Sequence, residues 1–169
     1  MVRKNNYNRY RWDSNNVNAW ANSSMRSWLN VNYPTTLQES TLEKIGTTTY
    51  YFTLGNGDST ITSRADAFFI LSLGELNLSH YGEADDEGSP LSIASTLQIS
   101  HNNDGLSEDQ WNRTPNTQIN YGGGNTEVFR LENDGSVHST RCDAFSGAQP
   151  CFTLPSTTTV DENLNLMES

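Results

Sequence analysis

The apolar positions early in the chain repeat with the spacing of an α-helix. Met25, Trp28 and Leu29 stand at i, i+3 and i+4, so they share one helical face, and we expect that face to pack in a core. Ser23 or Ser24 precedes them, and a serine hydroxyl can accept an amide proton from an exposed first turn. The pattern therefore predicts a helix that begins at one of these two serines.

A second helix is predicted a few residues later. Thr36-x-x-Glu39 is the spacing of a capping box, in which each side chain accepts from the backbone N–H of the other residue. Leu42 and Ile45 continue the apolar periodicity, and Gly46 is a typical residue just after the last helical turn. The sequence thus predicts a helix from this box to Gly46.

The pattern then changes to that of β-strands. Thr47 to Leu54 is rich in β-branched and aromatic residues, which predicts a strand, and Gly55-Asn56-Gly57-Asp58 closes it as a turn. Asp66 to Leu73 contains the short apolar run Ala67 to Leu71, which predicts a buried strand.

Three further segments have weaker patterns. Ser72-x-x-Glu75 predicts a capped short helix through Leu76 and Leu78. Leu91 to Ile99 fits a helix and a strand equally well, so both alternatives remain. Met1 to Val17 is polar with aromatic residues, and we expect an edge strand or an arm, with a frayed N-terminus as the alternative.

The C-terminal third has the clearest local signal. Asn133-Asp134-Gly135 separates two short apolar runs, and Asp-Gly is a strong hairpin signal because glycine accepts the positive φ of a tight turn. We predict a hairpin from Val128 to Arg141, a polar loop from Cys142 to Ala148, and a closing strand from Pro150 to Leu154. No repeat or linker interrupts the chain, so we predict one α+β domain over residues 1–169, frayed over 1–9 and 161–169.

The composition narrows the possible partners. The chain has 169 residues, a net charge of −10 and a pI of about 4.5, so it should be repelled by nucleic acid and anionic lipid. The basic residues Arg3, Lys4, Arg9 and Arg11 cluster in a segment predicted to fray. We find no apolar stretch long enough to span a bilayer and no signal peptide at Met1, so export would depend on assembly onto a larger particle or on a longer parent chain.

The residues that often carry catalysis are scattered. His80, His101 and His138 lie far apart, and none belongs to a recognisable nucleophile or zinc motif, so surface histidines are expected. Cys142 and Cys151 do not form a disulfide framework. Free thiols are favoured over a pair that bridges the loop and the strand, and nothing cationic is placed to activate a thiol for redox chemistry.

The acidic segment between His80 and Pro90 is a candidate calcium site. It contains Glu83, Asp85, Asp86 and Glu87, and calcium prefers several oxygen ligands. These residues lack the alternating spacing of a calcium loop, so a solvated loop is favoured. We therefore expect no cofactor, with calcium as the minor alternative.

Three motifs carry a family resemblance. Ser23-x-x-Arg26-x-Trp28-Leu29-Asn30 comes first, Phe69-Ile70-Leu71-Ser72 second, and Trp111-x-Arg113-Thr114-Pro115 third. The third motif is followed by the Asp-Gly-Ser hairpin and by Gly147-x-x-Pro150-x-Phe152-x-Leu154-Pro155-Ser156. In this order they resemble the DUF6273 domain found in tail and surface proteins of gut bacteriophages and bacteria. The resemblance covers roughly Tyr10 to Val160.

This resemblance implies a fold and a setting. The family is similar to the C-type lectin fold, which implies two short helices packed on small antiparallel sheets with long structured loops. It overlaps the variable proteins of diversity-generating retroelements, which implies receptor binding by a phage tail protein or bacterial adhesin. The implied location is the virion or the bacterial cell surface. The calcium-dependent lectins' Glu-Pro-Asn and Trp-Asn-Asp motifs are absent, so calcium-dependent sugar binding is not favoured.

The resemblance also separates scaffold from surface. Trp111 is expected to fill the core and Arg113 to hold a loop, and the other expected motif residues are Pro115, Gly135, Gly147 and Pro150. Tyr, Arg, Asn and Ser are the side chains of adaptable binding surfaces. The predicted ligand-binding residues are Asn116, Gln118, Asn120, Tyr121, Asn125, His138, Thr140, Arg141, Asp143 and Phe145. Phe145 is the most informative of them, because an exposed aromatic ring there would anchor a ligand.

The genetic code adds a second argument. Randomising the adenines of an Asn codon yields His, Ser, Thr, Arg, Cys, Asp, Phe and Tyr among other residues. The run from His138 to Asp143, followed by Phe145 and Ser146, contains only residues reachable in this way. Diversification of residues 116–146 by a retroelement is therefore a hypothesis.

Together these observations predict a non-enzymatic module. Its expected partner is a host cell-surface protein or glycan, bound through the C-terminal hairpin and loops, with other virion tail subunits as further candidates. Neither nucleic-acid binding nor membrane insertion is expected. The alternative is a structural phage tail component with no variable site.

Overall fold

The computed structural model describes residues 8–78, 87–98, 108–118 and 124–158. In these ranges the protein is α+β, with short helices and two small sheets. The helices are α1 (Ser24–Val31), α2 (Glu39–Leu42) and α3 (Ala94–Leu97), and two 3₁₀ turns cover Trp20–Asn22 and Tyr33–Thr36. The strands are β1 (Arg9–Arg11), β2 (Thr48–Gly55), β3 (Asp58–Asp66), β4 (Gln110–Pro115), β5 (Glu127–Leu131), β6 (Val137–Arg141) and β7 (Phe145–Gly147).

The larger sheet contains the predicted hairpin. Its strand order is β1-β7-β4-β5-β6, and β5 and β6 pair antiparallel in regular register from Leu131↔Val137 to Glu127↔Arg141. Gly135 has a φ of +88° in the connecting turn, so the Asp-Gly signal is confirmed. The prediction of an edge strand near the N-terminus is also confirmed, because β1 pairs with β7 at the end of the sheet.

The smaller sheet is the antiparallel pair β2 and β3. The strand predicted at residues 47–54 and the turn that follows it are confirmed as β2 and the β2–β3 turn. No pattern predicted β3. Its sequence is a polar run with a single large apolar residue, Ile61, and it forms a strand because β2 beside it supplies hydrogen-bond partners.

The first predicted helix is confirmed, and the second is much shorter than predicted. The hydroxyl of Ser23 accepts from the backbone N–H of Arg26 at 3.1 Å and caps α1. The prediction of a capping box at Thr36 is wrong, because the Thr36 hydroxyl donates to the carbonyl of Tyr33 at 2.7 Å within a 3₁₀ turn. Without that cap, α2 is a single turn that begins after Gln38.

Two predicted strands, the buried strand at 67–71 and the closing strand at 150–154, do not form strands in the structure. Ala67–Leu71 and Pro150–Leu154 run past each other and meet in the isolated bridge Phe69↔Cys151. Instead of forming a regular ladder of hydrogen bonds, the 67–71 segment bonds to β4. The carbonyl of Leu71 accepts from the N–H of Arg113 at 3.0 Å. The closing strand of the sheet is instead β7, inside the segment predicted as the loop Cys142–Ala148.

Two other segments are settled by the structure. Ser72 and Glu75 form the predicted reciprocal hydrogen bonds, each 3.1 Å, but they close a turn rather than a helix. Leu91–Ile99, for which helix and strand were both open, contains the one-turn helix α3.

Aromatic side chains dominate the core. Trp12, Trp20 and Trp111 have no exposed surface, and they share one cluster with Phe68 and Phe152. This cluster joins the N-terminal segment, α1 and both sheets. The binding surface predicted from the sequence therefore rests on a rigid interior.

Candidate functional site

A buried arginine holds four segments of the chain together. Arg113 lies on β4 with no exposed surface, and its guanidinium donates to the carbonyls of Tyr51, Ile70 and Glu87 at 2.9, 2.7 and 2.9 Å. Its Nη1 also lies 2.6 Å from Oε2 of Glu75. One side chain thus joins β2, the 67–71 segment, the turn at Glu75 and the segment that begins at Glu87.

Two carboxylates, those of Glu75 and Glu87, offset the buried charge of Arg113. Burial lowers the pKa of Arg113, but the charge and hydrogen bond of Glu75 outweigh that effect and raise it overall. Glu87 also has no exposed surface, and its carboxylate accepts from the N–H of Thr53 at 2.6 Å and the hydroxyl of Thr114 at 2.5 Å. At this position the prediction of a solvated acidic loop is wrong. Residues 79–86 of that segment, including His80, Glu83, Asp85 and Asp86, lie outside the described residues.

The remaining motif residues lie at structural positions. Trp111 is fully buried, and its indole N–H donates to the carbonyl of Tyr10 at 2.6 Å. Pro115 ends β4 opposite Val128 after an irregularity in the register, and Gly147 pairs with Arg9. Pro150 is buried beside the core residue Cys151.

A second buried residue, Asn18, anchors the loop that precedes β5. Its amide Nδ2 donates to the carbonyls of Asn116, Gly124 and Glu127 at 3.1, 3.2 and 2.7 Å. Its backbone N–H donates to the carbonyl of Asn125 at 2.9 Å. Both ends of the segment between Asn116 and Asn125 are therefore fixed to the same side chain or its backbone.

Near the junction of β6 and β7 lies a group of exposed and half-buried residues that we call the rim patch: Arg11, Asn16, Asn125, Arg141, Asp143 and Phe145. The guanidinium of Arg141 donates to both carboxylate oxygens of Asp143 at 2.9 and 2.8 Å. The N–H of Asp143 contacts Oδ1 of Asn16 at 3.4 Å. The guanidinium carbon of Arg11 lies 4.9 Å from the ring centroid of Phe145, whose side chain is 49% exposed.

Charged neighbours shift the pKa of Asp143 in the rim patch. The hydrogen bond from Arg141 lowers the pKa of Asp143, burial opposes it, and the charges of Arg141 and Arg11 lower it further. The carbonyl of Phe145 accepts from the Arg9 guanidinium at 2.8 Å, and Arg9 also pairs with Glu108 at 3.2 Å. An exposed aromatic ring thus lies among several guanidinium groups on an acidic protein.

The structure brings only some of the predicted ligand-binding residues together. Asn125, Arg141, Asp143 and Phe145 belong to the rim patch. His138 and Thr140 lie on β6, where His138 is exposed and Thr140 half-buried, and Gln118 is half-buried after β4. Asn116 is 4% exposed and holds the loop through its backbone. Asn120 and Tyr121 lie outside the described residues.

Two members of the rim patch were not predicted from the sequence. Arg11 and Asn16 belong to the N-terminal segment, where the basic residues were assigned to a frayed end. A usable signal was the alternation Arg9-Tyr10-Arg11, in which only Tyr10 is half-buried and its two neighbours are exposed. That alternation is typical of an edge strand with one face on the core.

The two thiols have packing roles. Cys142 and Cys151 are both free and buried, so the favoured prediction of free thiols is confirmed. Burial raises the pKa of each thiol, and the charge of Asp13 raises that of Cys142 further. Within the described ranges we find no group of three or more His, Cys, Asp or Glu residues that could hold a metal ion.

Comparison with known proteins gives one match. No curated protein and no solved structure matches this chain. In the parts of the chain that can be described, no helix is both long and apolar enough to cross a membrane. The model of the family DUF6273, described as a domain of unknown function, matches residues 1–156, and the chain therefore belongs to that family.

Proposed function

We propose that this domain is a non-enzymatic ligand-binding module with a C-type lectin-like fold, carried by a phage tail or bacterial surface protein. Its ligand is a host cell-surface protein or glycan. The observation that carries the proposal is the exposed Phe145 ring beneath the Arg11 guanidinium, next to the Arg141–Asp143 pair. A large aromatic anchor flanked by arginines is the side-chain chemistry of binding hot spots.

The arrangement of Phe145 supports a prepared contact surface. The ring is on β7, where Phe145 pairs directly with Arg11 of β1. Because both residues belong to a hydrogen-bonded sheet, the ring is presented without ordering a loop. Preorganisation of this kind reduces the entropy lost on binding.

The frame supports the same conclusion. Arg113, Glu75 and Glu87 fix the backbone of the scaffold, and Asn18 fixes the loop before β5. Binding loops on a rigid scaffold are common in ligand-binding folds. The few short helices, the small sheets and the C-terminal hairpin support assignment to the C-type lectin-like class.

Diversification by a retroelement is a further part of this proposal, and burial sharpens it. Exposed or half-buried positions 138, 140, 141, 143 and 145 can vary without affecting the core, but Cys142 and Ser146 have no exposed surface. We therefore expect the five exposed or half-buried positions to vary freely, and we expect only small residues at positions 142 and 146. Sequencing the 3′ end of the gene in its source population tests this, since an invariant 3′ end with no neighbouring repeat would leave a receptor-binding domain of fixed specificity.

The test of ligand binding measures how much of the whole chain, labelled with a fluorophore, binds to bacterial cells from the source population of the gene. Arg141→Ala combined with Phe145→Ala should abolish cell binding while the unfolding transition stays close to that of the wild type. Val31→Ala is the matched control, because Val31 is 65% exposed and lies on α1 outside the rim patch. Binding by the double variant equal to that of the control would overturn the proposal and favour a structural tail component.

A further inference from the structure

We propose that two copies of this chain associate through the free edge of β3, forming a continuous four-stranded sheet across a two-fold axis at Ser63. This interface is separate from the rim patch and does not depend on the proposed function. The inference begins with the direction in which the backbone groups of β2 and β3 point.

The edge of β2 that faces away from β3 is already occupied. The carbonyl of Tyr51 accepts from Nε of Arg113 at 2.9 Å, and the N–H of Thr53 donates to Glu87 at 2.6 Å. The backbone groups of these two residues therefore point away from β3. In an antiparallel pair such residues alternate with those that exchange hydrogen bonds across the ladder, so Tyr50 and Phe52 are the residues of β2 that bond to β3.

The pairing register shows which backbone groups of β3 point toward β2 and which point outward. Tyr50 is opposite Arg64 and Phe52 is opposite Thr62, so Arg64 and Thr62 direct their backbone groups toward β2. Ile61, Ser63 and Ala65 direct theirs outward. Among the described residues, none donates to or accepts from the backbone of these three on the outer side.

Between Ile61 and Ala65 this outer edge lacks most of the features that protect edge strands, and Arg64 is its one charged residue. Between Ile61 and Ala65 there is no proline, glycine or lysine, and the register with β2 is regular over this stretch, its irregularity lying between Ile61 and Asp58. A flat edge with unpaired N–H and C=O groups is a template for another strand. A two-stranded sheet also gains stability from further strands.

The edge is complementary to itself. With the axis at Ser63, the outward groups of Ser63 meet those of its copy, and Ile61 meets Ala65 of the second copy in both halves of the interface. Arg64 faces Thr62 and Asp66 faces Thr60, so no like charges are opposed. Shifting the axis to Ile61 would instead include the irregular part of β3, so Ser63 gives the longest regular overlap.

The solvent face of the same hairpin favours a second copy over an unrelated strand. Tyr51 is 53% exposed and lies opposite Ser63, so its side chain is on the outer face with those of Ile61 and Ala65. In the four-stranded sheet these apolar side chains from both copies form one strip. Cross-strand apolar contacts of this kind stabilise a sheet.

The net charge predicts an unusual salt dependence. Each copy carries −10, so the two copies repel each other at low ionic strength. The interface itself contains no opposed charges. Added salt should therefore tighten the dimer several-fold by screening, whereas an interface built on ion pairs would weaken.

The experiment measures the mass of the full chain in solution by sedimentation over a range of concentrations and salt. The wild type should dimerise, and Ser63→Pro should raise the dissociation constant about a hundredfold, because proline removes an outward N–H that β2 does not use. Ser63→Thr is the control and should dimerise like the wild type. A wild type that is monomeric at every concentration and salt, or a dimer that is unaffected by Ser63→Pro, would overturn the proposal.

A cross-linking variant tests the position of the axis without relying on proline. Ser63→Cys should form an intermolecular disulfide on mild oxidation, since hydrogen-bonded antiparallel pairs place their Cα atoms about 5.5 Å apart. Thr49→Cys, exposed on β2 away from the edge, should not. The native thiols do not interfere because Cys142 and Cys151 are buried. Equal cross-linking of both variants would contradict the assigned axis.

Discussion

Arg113 and Glu75 form an ion pair of 2.6 Å in which the arginine has no contact with solvent. Glu75 has a second role, because the same Oε2 accepts from the N–H of Ser72 at 3.1 Å and closes the local turn. The carboxylate therefore fixes its own turn and the arginine together. Moving one of these segments would therefore break hydrogen bonds in another.

Replacing Arg113 tests how much stability depends on this group. Arg113→Met keeps an unbranched apolar chain in place of the aliphatic part of arginine but leaves Glu75 and the carbonyls of Tyr51, Ile70 and Glu87 without their donor. Removing one partner of a buried ion pair costs about 3–5 kcal/mol. We expect a loss of that size in the free energy of unfolding, measured by urea denaturation.

Arg130→Met is the matched control. Its guanidinium pairs with Glu132 at 2.6 Å and Asp109 at 3.4 Å near the surface, where the side chain is 20% exposed. Such a pair contributes less than about 1 kcal/mol. Equal losses in the two variants would show that the buried network has no special role in stability.

Two glycines in the β2–β3 turn separate close packing from backbone conformation. Gly55 and Gly57 have φ angles of +73° and +81°, so alanine costs about 1–2 kcal/mol at either position through conformation alone. A Cβ at Gly55 would also lie 2.1 Å from the carbonyl oxygen of Asn18, whereas nothing lies within 4 Å at Gly57. We expect Gly55→Ala to be less stable than Gly57→Ala by about 1–3 kcal/mol.

Thermal and urea unfolding of both variants would measure that difference. Asn18 is the residue that holds the loop before β5, so Gly55→Ala should also loosen that loop. We expect this as faster hydrogen exchange of the Asn18 amide, whose N–H donates to the carbonyl of Asn125. If the two alanine variants unfold together, the close approach of Gly55 to Asn18 is not a constraint on the fold.

The elements that the sequence predicted are those with local signals. The Asp-Gly pair specifies its hairpin by the φ that Gly135 adopts, and Ser23 caps α1 within one turn. Apart from β3, which pairs with its neighbour β2, the elements it missed depend on partners that are distant along the chain. Strand β7 exists because β1 and β4 lie on either side of it, and the carboxylate of Glu87 is buried because Thr53 and Thr114 come to it from other strands.

The same distinction applies to the rim patch. Arg141, Asp143 and Phe145 could be predicted because they follow a recognisable hairpin. Arg11 and Asn16 reach the patch only through pairing of β1 with β7 and the contact of Asn16 with Asp143. Residues more than a hundred positions away along the chain carry no local pattern that links them to the hairpin.

The contacts of Asp66 predict how the free energy of unfolding decreases at acid pH. Its carboxylate accepts from Nε and Nη2 of Arg26 at 2.8 and 2.6 Å and from the Tyr50 hydroxyl at 2.6 Å. Burial raises its pKa, but these bonds and the charges of Arg26 and Arg64 lower it overall. A carboxyl with a lowered folded pKa contributes stability above its unfolded pKa of about 3.9, and that stability is lost as the pH falls through the folded pKa.

The variant Asp66→Asn removes this titration. It should be less stable than the wild type at pH 7, and its free energy of unfolding should fall less steeply than that of the wild type below about pH 4. Urea unfolding at a series of pH values gives both curves. Parallel curves in the acid range would show that the Asp66 carboxyl does not contribute to acid unfolding.

The burial of the two thiols predicts how the free energy of unfolding decreases at alkaline pH. Burial raises the folded pKa of Cys142 and Cys151, so each contributes stability that is fully present below the unfolded thiol pKa of about 8.5 and is lost as the pH rises above it. Each thiol should remove about 1.4 kcal/mol per pH unit once the unfolded thiol is ionised. Between pH 9 and 10 these two losses should add.

Cys142→Ala combined with Cys151→Ala isolates this effect. The double variant should start less stable, because two buried side chains are shortened, but its stability should change little between about pH 9 and pH 10, below the unfolded pKa of Tyr50. The slope, rather than the offset, therefore reports the thiols. A wild type and a double variant that lose stability at the same rate would mean that the native thiols ionise in place, and that the interior around β7 and the 150–154 segment admits water.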